Sequence, residues 1–177
     1  MFRDKDYLRS VDGFLFNVIG YEHPVHHALV NLKYVPTKKG LEKWSDGYRN
    51  AVCFLKRDYP QYVNTHGLIS VSGLQIAEFY QPQLGLQKLR LQRDSDPAML
   101  NRLQCTALEL GEKLAEFFGV PFEQFGITDS LLWGNGQPDS DIDLVFYGKS
   151  KNMASFPPNS NAVHCNRFSV VGSLSRC

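Results

Sequence analysis

Leu100, Leu103, Ala107, Leu110, Leu114 and Phe117 recur at intervals of three and four residues, the period of one face of an α-helix. Asp96 ahead of the repeat is a good N-cap, Pro97 suits a first helical turn, and Gly119 closes the run. The repeat is too brief for a coiled coil, so its apolar face must pack on the rest of the chain. Segments of strand character lie on both sides of it. A one-faced helix between strands implies a mixed α/β (α+β) fold.

Ahead of that helix, residues 1–92 read as a small mixed domain. "GFLFNVIGY" (13–21) and "ALVNLKYVP" (28–36) are rich in Val, Ile, Phe and Tyr and are bounded by Gly13, Pro24 and Pro36, which predicts a strand pair. In "YRNAVCFLKRDYPQY" (48–62), Val52, Leu55 and Tyr59 stand at helical spacing and Pro60 ends the run. A short strand at 67–73 and a brief helix over 75–80 complete this half.

A second segment, 93–148, opens with the packing helix. "FGIT" then predicts a short strand, "DSLLWG" a turn entering a helix, and Asp141-Ile142-Asp143-Leu144-Val145-Phe146-Tyr147 a further strand. Alternate strand residues point to one face, so Asp141 and Asp143 project together while Ile142 and Leu144 face the other way. Two adjacent carboxylates repel unless a cation lies between them, and magnesium takes one or two carboxylates together with phosphate oxygens. The turn at Ser130 presents a hydroxyl and backbone N–H groups at a helix start, an arrangement suited to anions. Taken alone, an Asp pair at a strand start also describes a solvated strand end; the turn at fixed spacing upstream favours the metal site.

This stretch resembles the signature of nucleotidyltransferases related to DNA polymerase beta. There, a Gly followed by Gly or Ser precedes an Asp-x-Asp or Asp-x-Glu pair on the next strand by about ten residues; here ten residues separate Ser130 from Asp141-Ile142-Asp143. Residues 3–24 and 32–36, "YPQY" at 59–62 and "SDIDLVFYG" at 140–148 are similar to a family of predicted nucleotidyltransferases found mainly in archaea. The resemblance covers residues 1 to about 148. It implies an N-terminal domain followed by an incomplete polymerase-beta-like core over 93–148, with Asp141 and Asp143 as catalytic metal ligands. Asp129 and Ser130 stand at the nucleotide-binding turn, Mg2+ or Mn2+ is the cofactor, and a nucleoside triphosphate is the donor. The acceptor could be a nucleic acid, a protein or a small molecule. The reaction implied is transfer of a nucleoside monophosphate to a hydroxyl group.

Two departures bear on activity. Asp129 stands where the signature has Gly, and its carboxylate would cap the turn or repel phosphates. No Asp or Glu follows Asp143, although the superfamily takes a third carboxylate from a later strand; a partner chain could donate one. The alternative is therefore a non-catalytic remnant that binds nucleotide weakly or serves as an interaction module.

Residues 149–177 change character, being rich in Ser and Asn with a Pro157-Pro158 break. They predict a poorly ordered tail with a short strand at "RFSVVG". An early stop or a shifted reading frame near residue 149 would give such an ending. The tail holds Lys149, Lys151, Arg167 and Arg176, so removing these from 19 basic residues leaves 15 against 18 acidic ones in residues 1–148. A body of about −3 is not a general nucleic-acid binder. The charged N-terminus leads into no long apolar stretch, so no membrane association and a cytoplasmic location are expected. Cys53, Cys105, Cys165 and Cys177 are scattered and read as free thiols. His23, His26 and His27 read as surface residues, Lys38, Lys39 and Lys43 as a solvated loop, and Trp133 as a packing residue.

Overall fold

The computed structural model describes residues 1–134, 136 and 140–148, together with the backbone of 165–170. The chain divides into two units, Met1–Tyr80 and Gln81–Cys177.

In the first unit, β1 (Tyr7–Ser10) and β2 (Leu15–Val18) form a hairpin whose turn is closed by Gly13 at φ +85°. β3 (His27–Thr37) runs antiparallel to β2 over Val30–Tyr34 and to β4 (Gly40–Lys43) over Tyr34–Thr37. β5 (Ser70–Ser72) adds to the start of β3, and β6 (Ile76–Tyr80) pairs with β1. The result is a six-stranded antiparallel sheet with order β4-β3-β2-β1-β6, β5 lying off that path. Alternate residues of β3, Ala28, Val30 and Leu32, turn inward with Leu8, Phe16, Val18, Ile69 and Val71. They pack with Ala51 and Leu55 of the single helix, α1 (Gly47–Asp58). Burying this contiguous apolar surface is the main force holding the unit together.

Pro60 ends α1, and a 3-10 turn at Pro60–Tyr62 carries Tyr62 into the core. Phe14 meets Tyr59 edge-on at 4.6 Å, and the Tyr62 hydroxyl donates to Asp12 at 2.6 Å. Asp6 is fully buried at the entry to β1, where one carboxylate oxygen accepts the Arg3 N–H at 2.9 Å.

The strand pair expected over 13–21 and 28–36 forms as β2 and β3, and the helix expected from residue 48 forms as α1. The helix expected over 75–80 does not form: these residues are β6, paired to β1 from Ser10↔Ile76 to Tyr7↔Tyr80. Ile, Phe and Tyr in a segment this short suit a pleated surface, and pairing with β1 decides the matter.

In the second unit, α2 (Pro82–Ser95) and α3 (Arg102–Phe118) cover a three-stranded antiparallel sheet. Its strands are β7 (Phe125–Ile127), β8 (Ile142–Tyr147) and β9 (Cys165–Val170), in that order. Leu86 and Leu89 of α2 and Ala107 and Leu108 of α3 share a core with Phe125, Ile127, Ile142, Leu144 and Phe146. Arg93 binds Glu112 through two hydrogen bonds of 2.7 and 3.0 Å and ties α2 to α3.

α3 begins later than its sequence suggests. Asp96 caps a 3-10 turn at Pro97–Met99, while Asn101 and Gln104 form a reciprocal capping box that starts the helix. Gly119 closes α3 in the left-handed conformation, as expected. Leu103, Leu110 and Leu114 pack on the core, but Phe117 is 77% exposed. The sequence places a domain boundary at residue 92; in the structure α2 spans that point and shares its core with α3. β9 overlaps the expected "RFSVVG" strand, and the remainder of the expected tail lies outside the described residues. Among the described residues, no helix is long and apolar enough to cross a membrane.

Candidate nucleotide and metal site

β7 and β8 position the candidate site. Their register pairs Phe125 with Phe146, Gly126 with Val145 and Ile127 with Leu144. One step further, the Thr128 N–H donates to the Asp143 carbonyl at 3.0 Å, so Thr128 stands opposite Asp143. Directly opposed residues of an antiparallel pair share a face. Ile127, Ile142 and Leu144 belong to the helix-covered core, and by alternation Gly126, Thr128 and Asp143 belong to the opposite face.

Gly126 is required by close approach. A Cβ there would lie 2.5 Å from the Pro82 carbonyl carbon and 2.6 Å from the Gln83 nitrogen. The first turn of α2 thus sits directly against β7, at a contact only glycine permits.

The expected carboxylate pair is unequal. β8 begins at Ile142, so Asp141 lies one residue ahead of the strand and is exposed. Asp143 lies within the strand and is 4% exposed. An ionised carboxylate at such a position requires compensation by hydrogen bonds or a counter-charge.

The turn after β7 differs from expectation. No α-helix starts at Ser130 among the described residues; Asp129–Leu131 form one 3-10 turn, closed by the Leu132 N–H donating to the Asp129 carbonyl at 2.9 Å. A single turn carries little of the dipole of a long helix, so any anion held there meets local N–H groups and the Ser130 hydroxyl. Leu131 anchors the turn in the core, and Leu132 packs beside it. The Cδ1 of Leu132 and the Ile127 side chain pack so near Gly85 of α2 that a Cβ there would lie within 2.6 and 3.0 Å of them. Both leucines thereby fix the turn to the helix layer.

Asp129 has φ +53°. This left-handed conformation favours glycine, and Asp is among the few other residues that tolerate it. The resembled signature has Gly at this position, and the backbone here holds a conformation that glycine readily adopts.

Thr128 is the residue that sequence reasoning missed. It is 2% exposed, and its Oγ1 is buried without a hydrogen-bond partner among the described residues. The signal is nonetheless present in the sequence: matching Phe125 and Ile127 with Phe146 and Leu144 as core-facing residues of antiparallel strands brings Thr128 opposite Asp143.

The oxygen donors here are of the kind a hard divalent ion takes: the buried carboxylate of Asp143, the exposed carboxylate of Asp141 just ahead of the strand, and a Thr128 hydroxyl without a partner among the described residues. Among the described residues, no group of three or more His, Cys, Asp and Glu side chains stands together. β9 pairs with β8 on the side away from β7, with Asp143↔Ser169 in register, and Cys165–Val170 contain no carboxylate. No family model, curated protein or solved structure matches the chain.

Elsewhere, His26 is exposed, whereas His23 accepts the Leu29 N–H at 3.2 Å through Nδ1, and burial lowers its pKa. Cys53 and Cys105 are free thiols.

Proposed function

We propose that the second unit is a divalent-metal-dependent nucleotidyl-transfer site of the polymerase-beta-like type. The observation that carries this reading is the β7-turn-β8 arrangement. A strand leads into a turn whose first residue, Asp129, holds a left-handed backbone, and the next strand carries Asp143 opposite Thr128. The resemblance of residues 126–148 to the nucleotidyltransferase signature supports the same reading.

In this reading Asp141 and Asp143 hold Mg2+ or Mn2+, while Ser130 and the turn amides hold the β- and γ-phosphates of a nucleoside triphosphate. The ion, when bound, neutralises charge on the α-phosphate and on the departing pyrophosphate. Asp143, fixed within a strand buried on both faces, sets the position of the site. Asp141, exposed at the strand entry, meets the acceptor side. The acceptor oxygen forms a bond to the α-phosphorus as the bond from that phosphorus to the α–β bridging oxygen breaks. Pyrophosphate leaves, and the hydroxyl proton passes to solvent at the exposed Asp141 end.

A second reading is favoured by β9. The strand beside β8 supplies no carboxylate, which leaves the site short of the third acidic group expected of an active transferase. The chain would then bind nucleotide weakly without transfer, unless a partner chain completes the site. Pyrophosphate release from ATP, GTP, CTP or UTP with Mn2+ separates the two. Release that disappears in Asp143→Asn supports transfer, and metal-dependent binding without release supports the remnant.

A further inference from the structure

Thr128 carries more than a place in the ladder. Opposed side chains of a hydrogen-bonded antiparallel pair have Cβ atoms about 5.5 Å apart, a span that a Thr hydroxyl and an Asp carboxylate commonly close with a direct hydrogen bond. Among the described residues the Thr128 hydroxyl has no such partner, although Thr128 is only 2% exposed. A buried hydroxyl without a partner among the described residues leaves a place for a third participant. The group facing it, Asp143, is the buried member of the acidic pair, and a hydrated divalent cation held by that carboxylate offers a bound water to the hydroxyl.

We infer that Thr128 is a positioning residue of the site, its Oγ1 accepting a hydrogen bond from water on a divalent cation held by Asp143. This rests on the metal-site reading above and goes beyond it. The hydroxyl fixes the orientation of the hydrated ion relative to β8, and its single lone-pair contact replaces part of what a further carboxylate would provide. Because both residues lie on one rigid ladder, the contact needs no rearrangement of the turn at Asp129.

Two substitutions separate a positioning role of Thr128 from a purely structural one. Thr128→Val keeps the β-branched shape and removes only the hydroxyl, whereas Thr128→Ser keeps the hydroxyl and removes a methyl group. Free Mn2+ measured by electron paramagnetic resonance during titration of the full chain gives affinity directly, without nucleotide or turnover. Thermal unfolding with and without Mn2+ gives a second readout.

The expected result is a roughly ten-fold or greater loss of Mn2+ affinity in Thr128→Val, with Thr128→Ser close to the wild type. Without metal, Thr128→Val should unfold at the same or a higher temperature, because an unsatisfied buried hydroxyl has been removed. Wild-type Mn2+ affinity in Thr128→Val, alongside loss of binding in Asp143→Asn, would overturn the inference and leave the metal site standing. Absence of Mn2+ binding in the wild type would overturn both.

Discussion

The Thr128 N–H donates to the Asp143 carbonyl at 3.0 Å, and this bond fixes the candidate site to the end of a two-strand ladder. It sets which side chains share a face, and it places the turn at Asp129 one residue beyond the ladder. Disturbing that ladder should therefore disturb the site from a distance.

Gly126 offers such a disturbance. Gly126→Ala would set a methyl group 2.5 Å from the Pro82 carbonyl carbon, and backbone on both sides leaves little room to yield. Overpacking of this kind costs about 1–3 kcal/mol or more. Urea unfolding of the variant should show at least that loss, with Mn2+ binding weakened in parallel; an unchanged midpoint would contradict the close packing of α2 on β7.

Asp129 allows strain and charge to be separated. Its φ of +53° suits Gly, and Asp129→Gly should leave stability within about 0.5 kcal/mol, the relief of strain offsetting the greater freedom of the unfolded chain. Asp129→Val should cost about 1–2 kcal/mol, since β-branched residues resist the left-handed region. Removing the carboxylate should also strengthen triphosphate binding, by about five-fold for a unit charge some 4 Å away in water. Calorimetry on Asp129→Gly reads that gain; weaker binding would show that Asp129 contributes to the site.

Asp6 makes the first unit sensitive to pH. Burial raises its carboxyl from 3.8 to about 6, against the lowering effects of the Arg3 N–H and the Arg3 charge. The folded state therefore holds a proton that the unfolded chain releases. Its contribution to stability is complete below pH 3.8 and is lost as pH rises through about 6. From pH 4 to 7 the wild type should lose about 2–3 kcal/mol relative to Asp6→Asn, which keeps an acceptor for the Arg3 N–H. Urea midpoints of both chains across this range check the difference, and parallel curves would refute it.

Much of this architecture is legible in the chain. Helix α3 announces itself by its stripe and by Gly119, and β2, β3 and β8 by runs of Val, Ile, Phe and Tyr. What escapes is decided by contacts distant in sequence. β6 looks helical until β1 is available to pair with it, and α2 lacks a clear apolar stripe because only Pro82, Leu86 and Leu89 are buried. The acidic pair is visible as a motif, but its inequality is not, since the burial of Asp143 follows from a central strand covered on both faces. Thr128 acquires meaning only from the register of β7 against β8.

A metal-dependent nucleotide site at Asp141 and Asp143 underlies the proposed function. Calorimetric titration of ATP, GTP, CTP and UTP into the full chain, with Mg2+ or Mn2+ and then with neither, tests this most directly, repeated on Asp141→Asn and Asp143→Asn. The predicted result is binding of at least one triphosphate that requires the metal and disappears in both variants. Absence of binding for all four triphosphates, or binding indifferent to metal and to both substitutions, would contradict it.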